Sequence, residues 1–226
     1  MSVKVHGTRL NPEETIRRKI TRVSAELVER ARAFDTATLH EAAGKIGVMP
    51  HAIKPVAPQF RVCGPAVTVQ SPGGDNLWLH RAIYAAEPGD VLVVHVSDKF
   101  DHGYWGEIMS TAAQVRGLGG LVIDGCVRDV ALLREMSFPV FSRGLCIRGT
   151  GKDFGARGWV NYPMLVHGVT IQAGDLVCGD EDGVVVIPAQ RAAQVLDAAA
   201  KRADAERTIV ERLKAGETTL KIYGWE

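Results

Sequence analysis

An arginine and an aspartate adjoin each other at Arg128 and Asp129, where the apolar segment 119–127 ends. Such a segment predicts a buried strand, and ligands of open α/β sheets bind outside the carboxyl ends of the strands. A guanidinium can donate paired hydrogen bonds to carboxylate or carbonyl oxygens, and an aspartate offers hard oxygen ligands to a divalent cation. The pair therefore suits an anionic substrate that chelates a metal ion.

Asp129 also precedes the segment 130–136, which is typical of a short helix. Aspartate is favoured just before a helix, where its side chain accepts a hydrogen bond from a backbone amide. A purely structural cap at Asp129, with Arg128 on the surface, is thus the alternative to a metal site. On spacing alone, the structural cap is the favoured interpretation.

The segment upstream favours the functional interpretation, because it predicts a strand, a helix and then the strand 119–127. Residues 91–96 are β-branched and predict a strand, and a helical pattern opens at residues 104–106. Gly117 is placed to end that helix. Three apolar residues fall on one helical face, namely Ile108, Ala112 and Val115.

The first turn of this helix is a candidate anion site. Its amides have no partners within the helix and carry the positive end of the helix dipole, so they favour carboxylates or phosphates. The loop 96–105 is long enough to bring this turn to the strand ends. The turn comprises Gly106, Glu107, Ile108 and Met109.

Three blocks of the sequence, at 73–76, 103–109 and 123–129, occur in the order and spacing of a known family. In these blocks the chain resembles the class II pyruvate aldolases that cleave 4-hydroxy-4-methyl-2-oxoglutarate and 4-carboxy-4-hydroxy-2-oxoadipate, a group related to the regulator of ribonuclease activity A. The resemblance runs from about Thr36 to the C-terminus. It implies an α/β fold, a layered α/β/β/α sandwich with mixed sheets and a long C-terminal helix.

The resemblance also implies roles for the residues at the proposed site. Arg128 would contact the oxygens of the pyruvyl group, and Asp129 would bind Mg²⁺ or Mn²⁺. The pyruvyl carboxylate would lie on the backbone of Gly106, Glu107, Ile108 and Met109.

Two acidic residues would complete the catalytic group by the same resemblance. The family often has an aspartate where this chain has Glu107, and that aspartate organises the water bound to the metal. A glutamate keeps the acid but is one methylene longer. The family also places an acidic residue from a neighbouring chain near this water, and Glu206 is the matching residue here.

The implied reaction is a retro-aldol cleavage of a 4-hydroxy-2-oxo acid into pyruvate and a second oxo acid. The cation and Arg128 would share the negative charge of the pyruvate enolate. Decarboxylation of oxaloacetate gives the same enolate and is expected as a side activity. A dedicated oxaloacetate decarboxylase and a non-catalytic regulator of a ribonuclease are the alternatives.

A lysine-based aldolase is not expected from this sequence. Schiff-base chemistry needs a desolvated lysine with a lowered pKa. The candidates lie in polar or glycine-rich surroundings, and borohydride with pyruvate should leave the protein unmodified. They are Lys45, Lys54, Lys99 and Lys152.

The composition excludes several classes of function. A chain of 226 residues is long enough for one substantial core, and a formal net charge of +1 gives no electrostatic case for nucleic-acid binding. The sequence contains neither a secretory signal nor an apolar run near the ~20 residues that a bilayer requires. A cytoplasmic location and no membrane association are therefore expected. No nucleotide cofactor is expected either, because the glycine-rich segment 144–152 lacks the order of a phosphate-binding loop.

The cysteines and histidines show no metal-binding spacing. The four cysteines are expected to be reduced, and Cys126 is the one within the proposed site loop. Among the histidines only His102 lies near the site in the sequence. His40 is better explained by a helix start with a capping box of Thr38 and Glu41.

The remaining segments suggest how the chain is organised. Residues 1–22 are expected to form an arm, 23–188 the α/β catalytic core, and 189–226 a helix and tail that pack on a neighbouring subunit. The strand at 62–70 contains Pro65, which suggests an edge strand or a bulge. A helix from about Ala189 to Ala215 would extend ~40 Å, too long for one compact domain to cover. The family implies a homo-oligomer, a trimer or hexamer.

Overall fold

The structure, a computed structural model, describes residues 11–226, and it contains seven α-helices in that range. The helices are α1 (Ala25–Ala31), α2 (Thr36–Ala42), α3 (Leu77–Ala85), α4 (Glu107–Val115), α5 (Val130–Glu135), α6 (Ala192–Lys214) and α7 (Thr219–Tyr223). The strands are β1 (Lys54–Pro55), β2 (Val62–Gln70), β3 (Val91–His95), β4 (Gly103–Trp105), β5 (Gly120–Val127), β6 (Val140–Leu145), β7 (Trp159–Val160), β8 (Met164–Val166), β9 (Val169–Ile171), β10 (Leu176–Asp180) and β11 (Gly183–Ile187). Short 3-10 helices lie at Pro12–Thr15 and Ala189–Arg191.

Nine strands form one mixed sheet, with the order β1-β6-β5-β3-β2-β10-β11. The central strands β2, β3, β5 and β6 are parallel, and β1, β10 and β11 pair antiparallel at the two sides. β4 pairs with β5 and β7 with β2, while β8 and β9 form a separate hairpin. The edge strand β1 contacts β10 and β11, so the sheet curls until it is nearly closed.

Side chains alternate across the curled sheet and so fill two cores. In β11, Val184 and Val186 join the inner core, which also contains apolar residues of α3, α4 and α5. Val185 and Ile187 point the other way into a second core with α1, α2 and α6. The two halves of the sheet thus lie between two helix layers, which confirms the α/β/β/α class and the mixed sheet.

Residues typical of turns separate the strands in the C-terminal part of the core. The turns at Gly168, 174–175 and 182–183 lie between β8, β9, β10 and β11. Gly168 and Gly174 have φ of +87° and +92°, a region that glycine adopts without steric cost. The local sequence therefore defined these elements.

Two local predictions were wrong because tertiary contacts override them. β2 is a central strand, and Pro65 is tolerated there because the parallel ladder with β3 begins only at Ala66, while Pro65 faces Leu176 of β10. Helix α2 begins at Thr36 instead of Thr38. The buried carboxylate of Asp180 accepts hydrogen bonds from the Thr36 N–H and hydroxyl at 2.8 and 2.6 Å, and so fixes this start.

The predicted helix at 104–115 differs from α4 in its start and in its buried face. Tyr104 and Trp105 belong to the buried strand β4. Met109 and Ala113 of α4 pack on the sheet, whereas Ile108 and Val115 are 78% and 83% exposed. Successive side chains point about 100° apart around a helix axis. The face of α4 next to the predicted one is therefore the face that packs on the sheet.

A buried ionic cluster ties together the carboxyl ends of three parallel strands. Asp124 of β5 is fully buried and accepts hydrogen bonds from the side chain of Arg143 in β6. Its Oδ2 lies 3.0 Å from His95 Nδ1 at the end of β3 and 3.0 Å from His167 Nε2 in the β8–β9 turn. The ring of Phe100 covers the Arg143 guanidinium at 4.2 Å.

The long C-terminal helix is confirmed, and it is buried only at its beginning. Helix α6 has 23 residues and extends about 35 Å. Its first two turns pack on α1 and α2, but farther along Val210 and Leu213 are exposed. The apolar residues Leu220, Tyr223 and Trp225 are exposed as well, and the last two rings stack at 4.6 Å.

The N-terminal residues that the structure describes follow the sheet near β7. The Arg17 N–H donates to the Val160 carbonyl at 3.1 Å, and Arg22 forms an ion pair with the buried Asp90 at 2.8 Å. The first ten residues of the predicted arm 1–22 lie outside the described part. The boundaries 1–22, 23–188 and 189–226 remain predictions. Between residues 11 and 226, none of the helices combines the length and apolar composition needed to cross a bilayer.

Candidate functional site

Asp129 stands in the N-cap position of α5, but its carboxylate does not cap that helix. Its backbone is left-handed, with φ of +60° and ψ of +35°, whereas an N-cap residue ordinarily has extended geometry. The carboxylate instead points to α4, where its Oδ2 accepts a hydrogen bond from the Glu107 N–H at 3.2 Å. The structural-cap interpretation of Asp129 is therefore wrong.

Two glycines make room for the Arg128–Asp129 pair. A Cβ atom at Gly106 would lie 2.1 Å from the Oδ2 of Asp129. A Cβ atom at Gly103 would lie 3.0 Å from the Cδ of Arg128 and 2.4 Å from the Cys146 carbonyl oxygen. Any other residue at position 106 would collide with the carboxylate, so glycine there is a requirement of the site.

Strand β4 brings the start of α4 to the end of β5. β3 pairs with β5 up to His95 and Asp124, and β4 then pairs parallel with the last residues of β5, with Trp105 opposite Val127. The Arg128 N–H donates to the Trp105 carbonyl at 2.9 Å. Helix α4 begins two residues after Trp105, so its first turn and the Arg128–Asp129 pair share one edge of the sheet, as expected from the sequence.

These elements surround a cavity of about 220 Å³. Arg128, Asp129, Gly106, Ile108 and Met109 line it together, so the structure unites five of the seven residues predicted for the site. Neither Arg128 nor Asp129 has an ion-pair partner among residues 11–226. Both charges are exposed to the cavity and available to a ligand.

The other two residues predicted for the site, Glu107 and Glu206, do not line the cavity. The Glu107 amide contacts Asp129, but its side chain is exposed and is not among the lining residues. Glu206 lies on α6, outside the cavity lining, where its carboxylate pairs with Arg202 at 2.9 Å. Its predicted role involves a neighbouring chain and stays a prediction.

The cavity lining also contains a lysine and a histidine that the sequence analysis did not assign to the site. Lys152 and His80 both line the cavity. Burial lowers the pKa of His80, and the nearby Lys152 ammonium lowers this pKa further. His80 is therefore neutral at neutral pH, while Lys152 gives the lining a positive charge.

Backbone contacts hold Lys152 in place. The Gly151 N–H donates to the Gly74 carbonyl at 2.8 Å, and the Asp153 N–H donates to Asp75 Oδ2 at 2.5 Å. The end of the glycine-rich segment 144–152 is thus attached to the block 73–76. Its two glycines next to a lysine were the only local signal, because main-chain pairing leaves no side-chain pattern.

Asn76 contributes a buried polar atom without a partner. Its Nδ2 donates to the Tyr104 carbonyl at 2.9 Å, which fixes the orientation of the amide. The Oδ1 is buried and has no hydrogen-bond partner among the described residues, yet Asn76 lines the cavity. An unpaired buried acceptor costs free energy, which a bound donor would recover.

His102 and Cys126, the other residues near the site in sequence, do not line the cavity. His102 Nδ1 lies 3.5 Å from Asp101, and burial raises the pKa of the Cys126 thiol. His80, which lies far from the site in the sequence, lines the cavity, whereas His102 does not. The reason is that α3 carries His80 across the sheet edge to face α4.

No group of three or more potential metal ligands occurs within residues 11–226. Mg²⁺ and Mn²⁺ do not require one, since Mg²⁺ keeps several waters and binds one or two carboxylates together with substrate oxygens. Asp129 is a hard oxygen donor without an ion-pair partner among residues 11–226, and the missing side chain of Gly106 leaves room for its carboxylate. These residues fit a divalent cation shared with a chelating substrate.

Comparison with known proteins places the chain among relatives of the same architecture. A protein from Halalkalibacterium halodurans, which carries the provisional name 4-hydroxy-4-methyl-2-oxoglutarate aldolase, is 35% identical over 81% of this chain and 86% of its own length. A crystal structure of an uncharacterized protein from Pseudomonas syringae pv. tomato matches with a TM-score of 0.79 at 32% identity, covering 92% of this chain and 97% of that one.

A further structure links the chain to ribonuclease inhibitors. Streptomyces coelicolor RraAS2, described as an unusual member of the RNase ES inhibitor RraA protein family, matches with a TM-score of 0.74 at 26% identity, over 84% of this chain and 98% of that one. The model of the RraA-like family, described as Aldolase/RraA, matches residues 31–186. The chain therefore belongs to the RraA-like family, as the three sequence blocks indicated.

Proposed function

We propose that this protein is a divalent-metal-dependent carbon–carbon lyase. It would cleave a 4-hydroxy-2-oxo acid with further carboxylates, such as 4-carboxy-4-hydroxy-2-oxoadipate or 4-hydroxy-4-methyl-2-oxoglutarate, into pyruvate and a second oxo acid. The observation that supports this most is the single small cavity lined by Arg128, Asp129, the first turn of α4 and Lys152. Relatives at 30–35% identity carry provisional names of this activity.

Asp129 is the residue that we propose as the ligand of Mg²⁺ or Mn²⁺. When bound, the cation would act as a Lewis acid on the oxygens of the 2-oxo acid. The Glu107 N–H holds one carboxylate oxygen of Asp129 at 3.2 Å and thereby fixes its direction. The other oxygen has no hydrogen-bond partner among the described residues and is left for the cation.

The protein's own groups would bind the pyruvyl half of the substrate. The amides of Ile108 and Met109 lie in the first turn of α4, at the positive end of the helix dipole. Their N–H groups can donate hydrogen bonds to the carboxylate there. Arg128 has five N–H donors and a permanent charge, so it can hold the keto oxygen as negative charge develops there. This charge appears as the C3–C4 bond breaks.

Proton removal from the 4-hydroxyl group is the step that starts the cleavage. Glu107 contacts Asp129 through its backbone amide, and we propose that its exposed carboxylate receives this proton directly or through a water molecule. The free Oδ1 of Asn76 can accept a hydrogen bond from a substrate hydroxyl and so orient it. Glu107 is exposed in the single chain, so a neighbouring subunit, through Glu206, completes this side in our proposal.

Lys152 suggests why the substrate has a second carboxylate. Lys152 lines the same cavity as the Arg128–Asp129 pair, and its ammonium has no ion-pair partner among residues 11–226. A carboxylate beyond C4 would meet this charge. Oxaloacetate, whose decarboxylation leaves the same enolate, fits as a side substrate, and we expect a homo-oligomer that works in the cytoplasm.

The test is an assay of pyruvate release by the purified full-length chain. After EDTA treatment, added Mg²⁺ or Mn²⁺ should restore cleavage of the two hydroxy-oxo acids and of oxaloacetate. Asp129→Asn and Gly106→Ala should each lower kcat by about 100-fold or more, as the loss of one charge-stabilising group does. Asp98→Asn changes an exposed acid outside the cavity and should retain activity.

Two results would reject the lyase proposal. One is full activity after the divalent ions are removed, and the other is no pyruvate from any of the substrates with either metal. The likeness to RraAS2 favours a binding regulator of a ribonuclease as the second candidate. In that case the purified chain should inhibit a ribonuclease, and Asp129→Asn should inhibit it equally well.

A further inference from the structure

Two free cysteines face each other on the opposite side of the sheet from the candidate site. Cys63 of β2 and Cys178 of β10 are directly opposed in the antiparallel ladder, and their sulfur atoms lie 3.6 Å apart. Opposed residues of antiparallel strands have Cα atoms about 4.5–5.5 Å apart, within the range that a disulfide spans. A bond between these sulfur atoms therefore requires little movement of the backbone.

The pair is accessible from a cavity that shares no residue with the candidate site. This second cavity has a volume of about 280 Å³, and both cysteines line it. Arg32 and Arg61 lie at its walls with Asp35 and Asp180. A small polar oxidant can enter such a space, although the thiols themselves are 8% and 4% exposed.

The surroundings of the two thiols differ. The hydrogen bond between the two sulfur atoms lowers the pKa of Cys63, and the charge of Arg32 also lowers it, while burial and the charge of Glu29 oppose them. The same hydrogen bond, together with burial, raises the pKa of Cys178 well above its ordinary range. Cys63 is thus the more acidic of the two thiols, although its Sγ also donates to the Val28 carbonyl at 3.4 Å.

We propose that Cys63 and Cys178 are an oxidisable dithiol, which hydrogen peroxide converts into a reversible disulfide. The Cys63 thiolate attacks one peroxide oxygen, the O–O bond breaks and hydroxide leaves, so the sulfur becomes a sulfenic acid. The Cys178 sulfur then attacks the Cys63 sulfur, the S–O bond breaks, and the oxygen leaves as water with the Cys178 proton. Two electrons pass from the two thiols to the peroxide.

The other two cysteines lack this arrangement. Cys126 faces Gly144 across the ladder, and burial raises the pKa of its thiol. The Cys146 thiol donates to the Asp101 carbonyl at 3.1 Å. They are therefore suitable positions to replace, so that only the proposed pair remains.

The experiment uses Cys126→Ser/Cys146→Ser and the natural chain, each exposed to peroxide in the folded state and then alkylated. Both remaining thiols of the double variant should resist alkylation, its mass should fall by two hydrogens, and dithiothreitol should reverse this. Peptide mapping should find Cys63 linked to Cys178 in both proteins. The crosslink joins residues 115 apart, so the thermal midpoint should rise.

Single replacements test the order of the steps. In the double-variant background, Cys178→Ser should leave a Cys63 sulfenic acid that dimedone traps, and Cys63→Ser should leave Cys178 unreactive. Full alkylation of both thiols after peroxide, or a sulfinic acid at Cys63 without the crosslink, would overturn the proposal. Trapping at Cys178 instead of Cys63 would overturn the assigned roles. These readouts do not depend on any lyase activity.

Discussion

Asp129 adopts a left-handed backbone conformation that residues other than glycine adopt only infrequently. Aspartate tolerates it better than most residues, but the conformation still costs free energy, and such outliers cluster at functional sites. If Asp129 were a cap, the ordinary extended geometry would serve and no strain would be needed. The outlier therefore supports a function for the carboxylate, which it directs to the cavity.

The charge of Lys152 leads to a prediction about substrate binding. Lys152→Met should raise the KM for 4-carboxy-4-hydroxy-2-oxoadipate by about 10-fold, the effect of losing a charge-assisted hydrogen bond. The inhibition constant of pyruvate, which lacks a second carboxylate, should not change. Steady-state kinetics measure both, and Lys99→Met is the control because this lysine does not line the cavity.

The same variant has a readout that does not require turnover. The Lys152 ammonium lowers the pKa of His80, so its removal should raise that pKa, which NMR titration of the imidazole can follow. An unchanged histidine titration would contradict the contact, whereas an unchanged KM alone would contradict only the assigned carboxylate.

At the scale of elements, the site depends on how β5 is held at its carboxyl end. Asp124 of β5 lies five residues before Asp129. Its carboxylate is fully buried and is paired with Arg143, His95 and His167, which are partly exposed. Burial alone would raise the pKa of Asp124, but the hydrogen bonds from His95 and Arg143 outweigh it, so the net pKa is lowered. The ionised carboxylate is thus more stable in the folded than in the unfolded chain.

This shift predicts the stability at acid pH. A carboxyl group with a lowered folded-state pKa stabilises the fold above its unfolded value, near 3.9, and this contribution is lost as the pH falls below it. Asp124→Asn should lower the free energy of unfolding at pH 7 by about 3 kcal/mol, because it leaves Arg143 without its charge partner. Urea unfolding of both proteins at several pH values measures this.

Unfolding measurements at acid pH separate the protonation of Asp124 from the other effects of its replacement. Below pH 4 the wild-type protein should lose stability more steeply than Asp124→Asn, which has no carboxyl group to protonate there. Asp182→Asn replaces an exposed acid and should behave like the wild type. If the free energy of unfolding falls equally steeply below pH 4 for the wild type and Asp124→Asn, the effect does not come from Asp124.

Elements whose signals are local were predictable, and those that depend on distant pairing were not. The turns between β8 and β11 and the start of α1 at its Ser24 cap are encoded within a few residues. β4 has only three residues, and its pairing is possible because β3 ends at His95 and leaves the end of β5 free. Sequence periodicity contains no information of that kind.

The candidate site divides in the same way. Arg128, Asp129 and the first turn of α4 were predictable because residue type and position after a strand point to ligand binding. His80 and Lys152 come from segments separated by about seventy residues, and main-chain hydrogen bonds between loops bring them together. Only the folded chain shows that they line the same cavity.

At the scale of the whole molecule, apolar residues beyond the first half of α6 are exposed in the single chain, and the packing of residues 189–226 on a second subunit stays a prediction. Glu206 lies in this part, paired with Arg202, and an exposed helical pair of this type contributes only about 0.5 kcal/mol. Loss of the pair should therefore not disturb the fold. Any effect of changing Glu206 on turnover would come from the neighbouring site.

We expect that Glu206→Gln lowers kcat without changing the oligomeric state, as measured by light scattering and kinetics on the same preparation. Glu211→Gln removes an exposed acid of the same helix and is the matched control. If the kinetics of Glu206→Gln equal those of the wild type, Glu206 has no part in the site. If both variants dissociate the oligomer, the helix acts through assembly alone.

The second core, which contains residues of α1, α2 and α6, joins parts of the chain that are far apart in sequence. Its residues come from Val23 to Ala43 and from Leu176 to Ala199, with little except Cys63 between them. During synthesis, about 130 further residues must be translated after α1 and α2 before the residues that cover their apolar faces exist. The nascent protein therefore exposes this surface for most of its translation, and chaperone binding is expected to concentrate on α1 and α2.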